Sequence, residues 1–76
     1  MISADLLQRI TIRLEQCGGR PCIRGMRIRV IDVLELLAAG ELSAEILEAH
    51  PYLEPEDIAA SLLYAARRMN HPTVGA

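Results

Sequence analysis

The run Cys17-Gly18-Gly19-Arg20-Pro21 suits neither a helix nor a continuous strand, and it separates the β-like segment before it from the residues after it. Two adjacent glycines give access to positive φ, and Pro21 has no N–H to donate. Before it, Ile10, Ile12 and Leu14 alternate with Thr11 and Arg13, the period of a half-buried strand. After it, Cys22, Ile23 and Arg24 read as a short second strand and Gly25-Met26 as a tight turn. Arg27, Ile28, Arg29 and Val30 then alternate again. The first third is therefore expected to form a small β-ribbon over about residues 9–30. A ribbon alone is barely stable in water. This one must pack on the rest of the chain or pair with the ribbon of a second copy.

From Ile31 the period becomes helical. Val33, Leu34 and Leu37 recur at helical spacing through Ala39, and Asp32 sits in the first turn, where the helix dipole favours an anion. Gly40 stands where a glycine ends a helix. Ser43 is the expected N-cap of a second helix over Ala44–Ala49, which carries Ile46 and Leu47 and is stopped by His50-Pro51. A third helix begins near Pro55, with Glu56 and Asp57 in its first turn and Arg67 and Arg68 at its end. Its apolar stripe is Ile58, Leu62, Ala65 and Met69. The tail, residues 70–76, is expected to fray.

The chain thus reads as one domain over residues 1–76, with the trihelical part at about 31–69. The expected fold class is mainly α: a three-helix homeodomain-like helix-turn-helix with a short N-terminal β-ribbon. A plain three-helix packing module has the same pattern. Leu34, Leu37, Ile46, Leu53, Ile58 and Leu62 are expected to hold the helices together.

Composition narrows the function. Hydrophobic residues make up 51% of a 76-residue chain, and a domain this small buries only about 60% of its unfolded surface. Such an excess predicts that part of the surface is covered by another chain, so a homodimer is expected, through the strand Ile10–Leu14 or the helical face. There is no Phe or Trp, and Tyr52 and Tyr64 are the only aromatic residues, which argues against a base-stacking platform for single strands. No apolar run approaches the roughly 18 residues of a membrane span. Met1–Leu7 lacks the basic and apolar regions of a signal peptide, so a cytoplasmic protein with no membrane association is expected.

Charge is segregated. Six arginines up to Arg29 against Asp5 and Glu15 leave +4, whereas Val30–Ala66 holds eight acids and no base. Arg67 and Arg68 bring the total to −2. One reading is two solvated faces. The other is that the basic end meets an anion or the acidic body of a second copy. Arg13, Arg20, Arg24, Arg27 and Arg29 are the candidates for DNA, although Arg24 and Arg27 could equally pair with Asp32 or Glu35. Glu45, Glu48 and Glu56 are the candidates for a basic partner. Cys17 and Cys22 lack zinc-site spacing, and His50 and His71 do not complete a set, so no metal and no cofactor are expected. A disulfide is sterically open, but two reduced thiols are expected in a cytoplasmic protein. No Ser/His/Asp or Cys/His arrangement has supporting context, and no enzyme is expected.

The run from Cys17 to Val30, the segment Asp32-Val-Leu-Glu-Leu-Leu-Ala-Ala-Gly40, then Glu45-Ile46-Leu47, Pro51-Tyr52-Leu53, Glu56-Asp57-Ile58 and Tyr64-Ala65-Ala66 occur in that order. Together they resemble the bacterial family catalogued as domain of unknown function 433, over roughly Ile10–Ala66. The resemblance implies a homeodomain-like helical fold with an N-terminal ribbon. It also implies a VapB-type antitoxin role beside a PIN-like ribonuclease toxin, with repression of its own operon as a second activity. The rival readings are a stand-alone helix-turn-helix regulator and a structural interaction module. Three residues depart from the family pattern: Met26 in place of Thr, Arg29 in place of a frequent Pro, and Glu54 at the start of the third helix, where Glu is a poorer N-cap. Glu54, Glu56 and Asp57 would present negative charge to a major groove, so the arginine ribbon is the better DNA candidate.

Overall fold

The computed structural model describes residues 3–70. It is mainly helical, with four helices and one two-stranded antiparallel sheet. The helices are α1 (Ser3–Leu7), α2 (Val30–Ala38), α3 (Ser43–Ala49) and α4 (Pro55–Met69), and the strands are β1 (Ile10–Thr11) and β2 (Cys22–Ile23). Of the tail expected over residues 70–76, Asn70 caps α4 and residues 71–76 lie outside the described residues.

The ribbon is shorter than its alternation predicts. Ile10 pairs with Ile23 and Thr11 with Cys22, and then the ladder stops. Beyond Thr11 the chain bends into its own turn, with Gln16 N–H donating to the Arg13 carbonyl at 3.1 Å. Ile12 and Leu14 are therefore exposed, Leu14 by 91%. The expected third run, Arg27–Val30, makes a single bridge, Arg29 to Cys22. Cys17, Gly18 and Gly19 all have positive φ and fold the chain back. The cysteines expected as free thiols face each other across that turn, their Cα atoms 7.0 Å apart.

Each of the three longer helices opens with the same device. The third residue of the helix is acidic and accepts the N-cap N–H: Asp32 from Arg29 at 2.9 Å, Glu45 from Leu42 at 2.7 Å, Asp57 from Glu54 at 2.8 Å. This is the backward half of a capping box. It moves the second cap from Ser43 to Leu42, because Glu45 reaches the Leu42 amide. The end of α2 is a Schellman closure: Gly40 (φ 96°) donates to Leu37 and Glu41 donates to Leu36.

The core gathers Ile23, Ile28 and Val30 from the first third with Val33, Ile46, Leu53 and Ile58 from the helices. Leu34, Leu37 and Tyr64 pack against it, partly buried. Leu62, expected in the core, is 50% exposed. The inward face of α4 runs instead through Asp57, Ile58, Ala60 and Ser61, rotated from the expected stripe, because α4 must turn Asp57 toward two arginines.

Candidate functional site

The strongest polar feature is one carboxylate shut inside a protein with little interior. Asp57 is 0% exposed. Asp57 lies in the first turn of α4, two residues after Pro55, and Arg24, just after β2, grips it. Arg24 Nε donates to both carboxylate oxygens at 3.1 and 3.2 Å and its Nη2 to Oδ2 at 2.8 Å. Arg9 Nη1 donates to Oδ1 at 2.9 Å and also to Glu54 at 2.6 Å. A buried carboxylate is tolerable only when paired and hydrogen-bonded, and these contacts meet that condition. Burial alone would push the Asp57 carboxyl up. The bonds from Arg24, the Glu54 amide and Arg9 outweigh it and hold the group below its ordinary value.

The loop is shaped for this grip. Arg24 is in the left-handed region (φ 48°), as is Gly25 (φ 70°). Arg24 N–H donates to the Arg9 carbonyl at 2.7 Å, and its guanidinium also donates to the Tyr52 carbonyl at 2.7 Å. Gly25 N–H donates to Thr11 Oγ1 at 2.9 Å, and Gln16 closes the loop on the Gly25 carbonyl. Arg29 is likewise committed: its guanidinium meets Asp32 at 2.7 and 3.2 Å, and this bond foremost lowers the Asp32 carboxyl below its usual range.

Of the five candidate arginines, Arg24 and Arg29 are therefore tied to carboxylates within the chain, Arg24 to Asp57 rather than to Asp32 or Glu35. Arg13, Arg20 and Arg27 are exposed, and none forms an ion pair among the described residues. Arg9, which no local motif singles out, joins Arg24 on Asp57 and adds an ion pair to Glu54. Glu45, Glu48 and Glu56 are exposed and free of ion pairs among the described residues, although Glu45 also caps α3. Glu35 and Glu41 share that state. Among the described residues no group of three or more His, Cys, Asp or Glu could hold a metal ion. No helix of the described residues is long and apolar enough to cross a membrane.

Two open clefts flank these elements. One is lined by Ile12, Arg20, Ile31, Leu34, Tyr64 and Met69, with a volume of about 600 Å³. The other lies between Arg27, Asp32, Glu35 and the hydrogen-bonded pair His50 and Tyr52, whose Nδ1 and Oη are 2.9 Å apart.

A family model described as "Protein of unknown function (DUF433)" matches residues 10–65. The chain belongs to this family. The match begins at β1 and ends in α4, so it contains Arg24, Asp57 and the capped starts of all three longer helices. A DUF433 member protein from Anabaena variabilis has a crystal structure similar to this one, with a TM-score of 0.76 and 31% identity, over 87% of this chain and 66% of that one. The uncharacterised protein y4eO of Sinorhizobium fredii is 44% identical over 48 residues, 63% of this chain. This chain spans only 22% of that relative's length.

Proposed function

We propose that this DUF433 protein is an antitoxin-like binding module that captures a PIN-like ribonuclease through the acidic surface of α2 and α3. One observation carries the reading: the distribution of charge left over after folding. Three of the eight acids between Val30 and Ala66 are neutralised by arginines, while Glu35, Glu41, Glu45, Glu48 and Glu56 stay exposed and free of ion pairs among the described residues. Such a one-signed surface favours encounter with a basic one. In this reading α2, α3 and α4 form a homeodomain-like helix-turn-helix that serves as a protein-binding scaffold. The buried Asp57 and the exposed Glu56 disfavour entry of α4 into a DNA groove.

The test is co-expression with the product of the adjacent reading frame. The proposal expects a PIN-like ribonuclease there, growth arrest when it is expressed alone, and rescue with a stable complex when this chain is present. An adjacent frame without such an enzyme, or arrest that this chain does not relieve, contradicts it.

A second reading, operator DNA, rests on Arg13, Arg20 and Arg27, the exposed arginines of the first third. Substituting these three by Ala should then weaken operator binding and flatten its salt dependence by up to about one unit per lost phosphate contact.

A further inference from the structure

One face of α4 has no partner among the described residues. Pro55, Ala59, Leu62, Ala66 and Met69 are all exposed, Met69 by 83%. Their spacing alternates four and three residues, the interval that returns one side of a helix to a neighbouring helix. The buried residues Asp57, Ile58, Ala60 and Ser61 occupy another part of the circumference. Among the described residues, helix α4 is therefore covered on one face and leaves a second, apolar face open. The two alanines on the open face allow helix axes to approach to about 8–10 Å. Its charges are placed at opposite ends. Glu56 and Arg67 are both exposed, and eleven residues, about three turns, set them on the same edge of the face.

We propose that this face is a self-association surface, on which two copies pair through antiparallel α4 helices about a two-fold axis near Leu62. A two-fold interface needs one patch complementary to itself, and this one is. The antiparallel arrangement sets Glu56 of each copy at the level of Arg67 of the other and opposes the two helix dipoles. A parallel pairing would leave Glu56 of one copy and Arg67 of the other at different levels. The cleft beside Met69, with Ile12 and Ile31 on its walls, extends the apolar surface at the end of the helix. Helix α4, with 15 residues, is about 22 Å long. A strip along one helix of that length is expected to fall short of the roughly 800 Å² per partner of a standard interface, so the dimer should dissociate on dilution. The proposal is independent of the toxin reading, since it needs this chain alone.

Sedimentation equilibrium of the full chain, from about micromolar to millimolar concentration, tests it. The mass should rise from 8.4 kDa toward twice that value. Ala59→Arg and Leu62→Glu lie on the exposed face and should keep the helical circular dichroism while raising the dissociation constant about tenfold or more. Glu56→Arg should weaken pairing, and the double variant Glu56→Arg/Arg67→Glu should restore it. A monomer throughout the range overturns the proposal. So does a dimer that folded Ala59→Arg and Leu62→Glu leave intact, or a double charge swap that pairs no better than Glu56→Arg.

Discussion

Asp57 is the residue on which the others depend. Its two arginines come from Arg9, before β1, and Arg24, after β2, so a single carboxylate ties the first third of the chain to the last helix. Asp57→Asn removes the charge and leaves two guanidinium groups half-satisfied. Both arginines are partly solvated, so the cost should fall below the 3–5 kcal/mol of a fully buried pair, at about 2–3 kcal/mol in urea denaturation. The same residue sets the response to acid. Asp57 and Asp32 are both held below the ordinary carboxylate range in the folded protein. Unfolded, they titrate near about pH 4. Their contribution is therefore complete above that pH and is lost as pH falls through their lowered folded values. Denaturation midpoints should be flat from neutral pH down to about 5 and drop below about 4, with a shallower drop in Asp57→Asn. At Gly25 the φ of 70° disfavours any side chain, and Arg13 lies 3.9 Å from where a Cβ would stand. Gly25→Ala should cost about 1–2 kcal/mol by the same measurement.

The three longer helices and the pairing of the two strands were legible in the sequence, whereas the extent of the ribbon and helix α1 were not, for reasons of scale. Gly40, His50-Pro51 and Pro55 are local signals, and α2, α3 and α4 end or begin at them within a residue or two. The acidic third residues of the helices are also local, although Ser43 drew attention from Leu42 and Glu45. The ribbon's alternation, by contrast, ran past the point where pairing could continue, because the turn at Arg13–Gln16 satisfies its own backbone. The five-residue α1 is too short to stand on propensity and packs against α4. Arg9 and Arg24 meet Asp57 across 48 and 33 residues, a separation that no spacing rule reaches. Leu62 marks the clearest difference. It continues the periodicity of Ile58, Ala65 and Met69, yet the pull of Asp57 inward rotates it out to half exposure. Leu62→Ala in the monomer should therefore cost less than about 1 kcal/mol. Ile46→Ala, at a fully buried position on α3, should cost about 2–5 kcal/mol. Chemical denaturation of both variants at low protein concentration separates the two environments.

At the scale of the molecule, folding sorts the charges. Arginines of the first third neutralise acids at the starts of α2 and α4, and the charge left outward on α2 and α3 is acidic. The segregation of charge along the chain was visible in the sequence. Which charges cancel was not, because that depends on where Asp57 and Asp32 meet their arginines. The same sorting changes which substitutions report on binding: replacing Arg24 or Arg29 perturbs the fold, whereas Arg13, Arg20 and Arg27 can be replaced without breaking an ion pair among the described residues. Under the proposed function the acidic α2–α3 surface captures a basic ribonuclease. Stopped-flow association with the PIN-like ribonuclease that the proposed function expects in the adjacent reading frame, at low and physiological salt, tests this. Glu45 also caps α3, so the informative variant is Glu35→Gln/Glu48→Gln, with Arg13→Ala/Arg20→Ala/Arg27→Ala as its counterpart. The glutamine variant should associate up to about tenfold more slowly at low salt, with less salt dependence and an unchanged dissociation rate, while the alanine variant should match the parent. An alanine variant that slows association, beside a glutamine variant that does not, would contradict this reading.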